Sequence, residues 1–477
     1  MHITDKKILG ITANSKRVKE GFIFVAIKGL NIDGNNFIDE AIENGAVIIY
    51  TENDIKNKNI PIIKVKNSRI KLAELLNEFY DYPTDKMNII GITGTNGKTT
   101  TTHLIDTILK KTKMKTALIG SLGVRIEDEY HHMNMTTPDS EDLYKIFFEL
   151  NKKGIQTVVM EVSSHALKLY RTYGVKFDVA ILTNIDIDHL DFHKTFEGYL
   201  NSKKMLFDSL EENKLAIINI DDENAGRILE GNDKVLTITY GLNSKSSITA
   251  SSISMDETLN FSVCIQRSIT SIRGIEYEPQ EFNIFMNMSG LYNVYNSLAA
   301  ISCALYFGVD IDSIKDALKD IKSISRRFEK IYEKNYIVID DFCHNPSSYH
   351  AILDRVKNLN YNKIIIVNAI RGNRGIQINR ENANVLASWY ELLNKPKIIL
   401  SIGEDVVSDK DKVKTNEMKI YEEILEKDKV PYETHKDLHF SIYKAISYVD
   451  KGDIILLLGS QGMDNGKQIF EKIVETF

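Results

Sequence analysis

The chain has 477 residues, a length that suggests about three domains at the usual 100–200 residues each and argues against a single core. Hydrophobic residues make up 43% and charged residues 26%, which excludes a disordered or fibrous chain. With 60 basic against 66 acidic residues the net charge is −6, so there is no basic nucleic-acid footprint, and any polyanion must be met by local sites.

In chain order, the start from Met1 to Lys7 leads into no apolar run, and no segment approaches the roughly 18 apolar residues that span a bilayer. A soluble, cytoplasmic protein without membrane insertion is expected. Short β-branched runs then recur, each followed by helical periodicity, the pattern of parallel βαβ units in an α/β fold. The clearest are Asn88–Ile90, Thr157–Met160, Val179–Leu182, Ala216–Asn219, Ile337–Ile339, Ile364–Val367, Ile398–Leu400 and Ile454–Leu458. Turn residues at Tyr82-Pro83-Thr84-Asp85 and a polar stretch from Ser323 to Glu333 divide the chain into blocks 1–86, 87–328 and 329–477. Between Val235 and Phe285 alternating segments such as Ser262-Val263-Cys264-Ile265 predict an antiparallel β subregion. Cys264, Cys303 and Cys343 lie far apart with no CxxC pair, so neither a disulfide framework nor a thiolate zinc site is expected.

After the strand at Asn88–Ile90 comes Gly91-Ile92-Thr93-Gly94-Thr95-Asn96-Gly97-Lys98-Thr99-Thr100, then an apolar-periodic helix through Leu104 and Ile108. Strand, glycine loop and helix in this order form a phosphate-binding loop. Backbone N–H groups converge on phosphate oxygens, Lys98 reaches the β/γ-phosphates and Thr99 can ligate Mg²⁺. Ile92 stands where the general pattern has its first glycine. A nucleoside triphosphate is expected.

Downstream, Glu161 ends one strand before Val162-Ser163-Ser164-His165, and the next strand leads into Asp186, Asp188, His189, Asp191 and His193. Ligands bind at the carboxyl ends of strands in open α/β sheets, so Glu161 and His189 are candidate Mg²⁺ or phosphate partners. A zinc site on His189 and His193, at i, i+4 spacing, is the alternative; the nearby carboxylates suit magnesium better.

These residues resemble the Mur ligases, of the MurE type, over nearly the whole chain. The match includes Phe24-Val25-Ala26, Lys28-Gly29, Asp33-Gly34, the loop Thr93 to Thr99, Thr136-Thr137-Pro138-Asp139, Glu161 to His165 and Asp188-His189-Leu190-Asp191-Phe192-His193. It continues through Tyr199 to Phe207, Asn293 to Ala300, Arg327-Phe328-Glu329 and Asp341-Phe342-Cys343-His344-Asn345-Pro346. The resemblance implies a small UDP-binding α/β domain, a P-loop central domain with a parallel sheet, and a doubly wound Rossmann-like C-terminal domain. It also implies ATP and two Mg²⁺ ions, a UDP-linked peptide precursor, an amino-acid amine, and a monomer. By position, Ser15, Thr136, Thr137, Asp139 and Ser164 fall to the UDP substrate. Gly94, Thr95, Asn96, Gly97, Lys98, Thr99, Thr100, Asn293, Arg327, Asp341 and His344 fall to ATP. Thr99, Glu161, His189 and Lys203 fall to metal, with Lys98, Lys203, His189 and Glu161 catalytic and Lys203 carbamylated.

The third-substrate segments depart from the family. Its Asp-Asn-Pro-Arg and Gly-Lys-Gly-His-Glu motifs are absent, and its Gly-Asp-Arg-Asp segment reads Arg371-Gly372-Asn373-Arg374-Gly375. Arg371, Arg374, Glu404 and Asp464 are the candidates for the amine substrate, since a guanidinium pairs bidentately with a carboxylate. A divergent ligase such as those of pseudomurein synthesis, and a catalytically silent Mur-like binding subunit, are the other readings.

Overall fold

The computed structural model describes residues 2–476 apart from 4–5, 30–31, 56–58, 128, 134, 256–257 and 322. The first block carries a four-stranded parallel sheet, Gly10–Thr12, Phe22–Val25, Ala46–Thr51 and Ile62–Lys64, in chain order. The second carries a parallel run in the order Thr116–Gly120, Thr157–Glu161, Asn88–Thr93, Val179–Leu182, Leu215–Asn219 and Leu236–Tyr240. Antiparallel strands extend one edge, and at the other Ile248–Met255 joins in parallel and begins an antiparallel group, which completes an 11-stranded sheet. The antiparallel subregion is there, as Ile248–Met255, Leu259–Ile265 and Gln280–Met286. Leu236–Tyr240, inside the same stretch, instead continues the parallel run.

Residue alternation explains why the central strands read as continuous apolar runs. Ile90, Ile92, Val159, Val179, Ile181 and Ile217 face the helices Lys98–Lys111 and Leu291–Tyr306. Ile89, Val158, Met160, Ala180, Leu182 and Ile218 face the helices Ser140–Lys152 and Phe196–Asp208. Both faces of a parallel sheet are covered, so both side-chain sets are apolar. The first block joins this second core: Ile23, Val25 and Ile48 reach it through Leu72 and Leu76 of the helix Ser68–Phe79. Glu141 of the central block also accepts from the Thr12 hydroxyl (2.9 Å) and the Ala13 N–H (2.7 Å).

In the third block, strands Ile337–Asp341, Ile454–Leu458, Ile364–Ala369, Lys397–Ser401 and Tyr432–His435 run parallel in that spatial order, with Glu329–Glu333 antiparallel at the edge. Helices pack on both faces: Tyr349, Leu386 and Tyr421 on one, Leu438, Ile442 and Phe470 on the other. All eight expected runs are strands. Leu236–Tyr240 and Tyr432–His435 were not among them, because Thr237, Thr239, Glu433 and Thr434 interrupt the apolar signal. Among the described residues no helix is long and apolar enough to cross a membrane.

What positions the site is the strand Asn88–Thr93. Its neighbours, Thr157–Glu161 and Val179–Leu182, lie on opposite sides, so the chain's direction of winding reverses around it. The crevice outside the carboxyl ends at such a switch point is where open α/β sheets bind ligands.

Candidate active site

The phosphate loop leaves that crevice on two glycines that cannot be replaced. Gly94 has φ +153°, and a Cβ there would stand 1.8 Å from Thr183 Oγ1; Gly97 has φ +85°, with its Cβ 2.4 Å from Asn296 Oδ1. The Thr183 hydroxyl donates to the Asn96 carbonyl (2.6 Å), and the Asn96 N–H donates to Asn184 Oδ1 (2.9 Å). The next strand end therefore sets the loop's curvature. Ile92, in the place of the general pattern's first glycine, is fully buried in the strand, so the turn begins at Gly94. Lys98 Nζ donates to the carbonyls of Gly94 (2.9 Å) and Thr95 (2.8 Å). Burial lowers its pKa, with Glu161 and Asp188 working in the opposite direction.

Glu161, 1% exposed, is the acid of the crevice. It accepts from Thr99 Oγ1 (3.1 Å), the Ser121 N–H (2.8 Å) and Ser121 Oγ (3.2 Å). Gly120 lets it approach, since a Cβ there would lie 2.3 Å from Glu161 Oε1. Arg327, arriving from the third-block boundary, donates from Nη2 to Thr99 Oγ1 (3.0 Å). A hydroxyl and a buried carboxylate side by side are hard oxygen donors that fit Mg²⁺, a cation that takes few protein ligands and completes its shell with water and phosphate.

Lys203 is 1% exposed; its Nζ donates to the Gly94 carbonyl (2.6 Å) and stands 4.4 Å from the centre of the Tyr199 ring. Burial and the neighbouring Lys98 push its pKa well below the lysine range. It thus meets the phosphate loop at Gly94, whereas Glu161 meets it at Thr99. Thr95 and Thr100 are buried, and Asn293 lines the same cavity of about 500 Å³, as do Thr136, Ser164, His189, Asp341 and His344. Asn293 donates to the Ser289 carbonyl (2.8 Å) and accepts from Asn296 (3.3 Å).

The third block closes the cavity through Asp188, which is 2% exposed. Its carboxylate meets Arg371 Nη1 (3.3 Å), His344 Nε2 (3.4 Å), Asn345 Nδ2 (3.3 Å) and His189 Nε2 (3.6 Å). Burial opposes its ionisation, but Arg371, His189 and His344 outweigh that and hold the carboxyl well below its usual range. Asn345 also exchanges hydrogen bonds with Asn96 of the phosphate loop (3.2 and 3.3 Å), and Ser347 donates to Asp186. Asp186 and Asp188 are therefore committed to interdomain contacts, and Glu161 is the carboxylate beside Thr99.

The zinc alternative does not form. Both ring nitrogens of His193 are taken, by Ser164 Oγ (3.0 Å) and Ser202 Oγ (3.2 Å). Among the described residues no group of three His, Cys, Asp or Glu is arranged to hold a metal ion.

On the side toward the first block, the Thr137 hydroxyl bonds the Glu161 carbonyl (2.9 Å), and Asp139 caps the helix Ser140–Lys152. Ser15 is buried beside Asn44, which donates to its carbonyl (3.0 Å). Arg171, absent from the sequence-derived candidates, donates to the Thr137 carbonyl (3.0 Å). Of the four amine candidates, Arg371 alone lines the cavity. Arg374 pairs with Asp411 (2.8 Å), Asp464 pairs with Arg326, and Glu404 is exposed and does not line the cavity. Arg171, Asn345, Ser347 and Arg326 were missed because each acts through a partner distant in sequence.

A nucleotide loop facing a buried acid and a buried lysine, roofed by a third α/β unit, defines a nucleotide-dependent ligase of three domains. Residues 7–80 match the Mur ligase family catalytic domain, 92–304 the Mur ligase middle domain and 326–461 the Mur ligase glutamate ligase domain. The chain belongs to the Mur ligase family, whose members are ATP-dependent, ADP-forming amide ligases that use Mg²⁺.

Within that family the similarity is to the MurE type. The chain is 37% identical over 454 residues to a UDP-N-acetylmuramoyl-L-alanyl-D-glutamate–2,6-diaminopimelate ligase of Aquifex aeolicus, covering 95% of this chain and 89% of that protein. A protein of the same name from Bacillus velezensis is 32% identical over 481 residues, covering 98% and 91%. A solved structure bearing that enzyme name superposes with a TM-score of 0.65 at 21% identity, covering 99% of this chain and 98% of that one, and shows the shared fold.

Proposed function

We propose that this ligase activates a carboxylate of a UDP-linked cell-wall peptide precursor as an acyl phosphate and joins it to an amino-acid amine. The observation that carries this reading is the convergence of Lys98, Glu161, Lys203 and Arg327 on one cavity between two α/β units. A carboxylate is a poor acceptor for an amine because oxide is a bad leaving group. Attack of its oxygen on the ATP γ-phosphorus forms an O–P bond and expels ADP with the electron pair of the broken bond. The amine then attacks the acyl carbon, phosphate departs with the C–O pair, and the amine loses a proton to solvent. Lys98 and Arg327 face the charge that develops as phosphate moves. Bound Mg²⁺ would neutralise phosphate charge; Thr99 and Glu161 are the donors that would hold one ion, with His189 and Lys203 toward a second. The roof formed by His344, Asn345 and Arg371 keeps out water that would hydrolyse the acyl phosphate.

In this reading Lys203 is carbamylated. An amine kept neutral by burial can attack CO₂, forming an N–C bond and losing a proton, which turns a buried neutral amine into an anion able to face Mg²⁺. Residues 1–86, with Ser15, hold the UDP end together with Thr136, Thr137, Asp139 and Ser164. Residues 87–328 hold ATP through the phosphate loop and Asn293, and residues 329–477 bring Asp341, His344 and the amine site. The enzyme acts as a cytoplasmic monomer. Because Arg374 and Asp464 are spent on Asp411 and Arg326, amine recognition differs from a free arginine and acid pair. The test is a panel of amines, 2,6-diaminopimelate included, assayed for amide product with UDP-linked peptide acceptors. One amine should be strongly preferred; no product with any of them would refute the reading.

A further inference from the structure

Arg371 enters the cavity just past the strand Ile364–Ala369 and is 8% exposed. Its Nη1 is engaged, donating to Asp188 Oδ1 (3.3 Å) and to the His344 carbonyl (3.1 Å). Its Nε is buried and has no acceptor. A guanidinium carries its donors in a rigid plane, so a filled Nη1 tip leaves the Nε donor held in place but without a partner. Leaving such a donor dry is costly unless a ligand oxygen fills it.

The segment carrying Arg371 is held stiffly. The carboxylate of Glu417, 1% exposed, accepts the backbone N–H groups of Asn373 (2.8 Å), Arg374 (2.9 Å), Gly375 (2.7 Å) and Lys414 (2.9 Å). Gly372 passes so close to the backbone of Asp411 that a Cβ would lie 2.1 Å from its carbonyl oxygen. The guanidinium is thus fixed at both ends, by Glu417 through its loop and by Asp188 at its tip. Asp188 in turn belongs to the segment that faces Lys98, and Asn345, next to His344, touches the phosphate loop at Asn96. Arg371 therefore lines the cavity at its phosphoryl end, with Lys98, Thr99 and Arg327. Arg374 points away, to Asp411.

We propose that Arg371 is a catalytic residue for phosphoryl transfer. Its Nε edge donates to a nonbridging oxygen of the γ-phosphoryl group while the acceptor carboxylate forms its O–P bond and the bond to ADP breaks. Asp188 is the positioning residue that orients it. No proton moves through Arg371; it stabilises charge from a preorganised donor. This rests on the ligase reading and gives that site an arginine supplied by the third block.

The experiment separates the two. With acceptor present and amine omitted, reversible acyl-phosphate formation scrambles isotopic oxygen between the bridging and nonbridging positions of ATP. Arg371→Ala and Arg371→Lys should both slow scrambling by about 10²–10³ while leaving the KM for amine within about twofold. Asp188→Asn should slow it by a smaller factor. Arg371→Lys keeps the charge, so it carries the test if the alanine variant does not fold. Scrambling at the wild-type rate in the lysine variant, or an effect confined to the amine KM, overturns the proposal and returns Arg371 to amine binding. Acceptor-independent scrambling by the wild-type enzyme would instead overturn the ligase reading.

Discussion

At the scale of single residues, two adjacent lysines show what burial decides. Lys204 pairs with Asp208 on the solvent side of its helix (2.5 Å), whereas Lys203 is sealed against Gly94 and Tyr199. In the sequence the two were distinguishable only by resemblance, since helix periodicity places neighbours 100° apart without saying which faces in. Lys203→Ala should lose most ligase activity and recover part of it with added short carboxylates, measured as amide product; absence of rescue would leave the residue a simple cation. His103 offers a pH test. Its ring is wedged between the Thr99 carbonyl (2.8 Å) and the Tyr130 hydroxyl (3.1 Å), and burial lowers its pKa to about 4. Between about 6.5 and 4 the unfolded chain binds a proton that the folded chain refuses, so stability falls as pH falls through that window. Urea titrations should show His103→Gln removing up to about 3 kcal/mol of that dependence.

At the scale of elements, legibility followed locality. The phosphate loop could be read because strand, glycines, lysine and helix are consecutive, and the buried strands because both faces of a parallel sheet are apolar. The loop 371–375 could not: its shape is imposed by Glu417, more than forty residues on, which in sequence is one more acid on an amphipathic helix. The same applies to Arg326, whose guanidinium ties Asp340, Asp464 and the Gly459 carbonyl (2.5 Å) together and so withdraws Asp464 from substrate. Glu417→Ala leaves four backbone donors without their acceptor. It should cost about 2–3 kcal/mol in denaturant unfolding and depress activity beyond what that loss explains, with Glu417→Gln milder in both.

At the scale of the whole molecule, a chain of net charge −6 proposed to bind two polyanions must attract them locally, and Lys98, Arg327 and Arg371 are cations gathered around one cavity. Each of the three faces or pairs with Glu161 or Asp188, so the crevice is charged but nearly balanced before substrate enters. Asp188 makes closure a matter of one buried carboxylate: third-block groups reach it from His344, Asn345 and Arg371. Asp188→Ala should broaden the distribution of shapes seen by small-angle X-ray scattering, while thermal unfolding of the separate cores changes little. The central claim, acyl-phosphate ligation, is met most directly by counting phosphate. With ATP, a UDP-linked peptide and the preferred amine, one phosphate should be released per amide formed, and omission of the peptide should reduce release to background. Equal phosphate release without the peptide would contradict it.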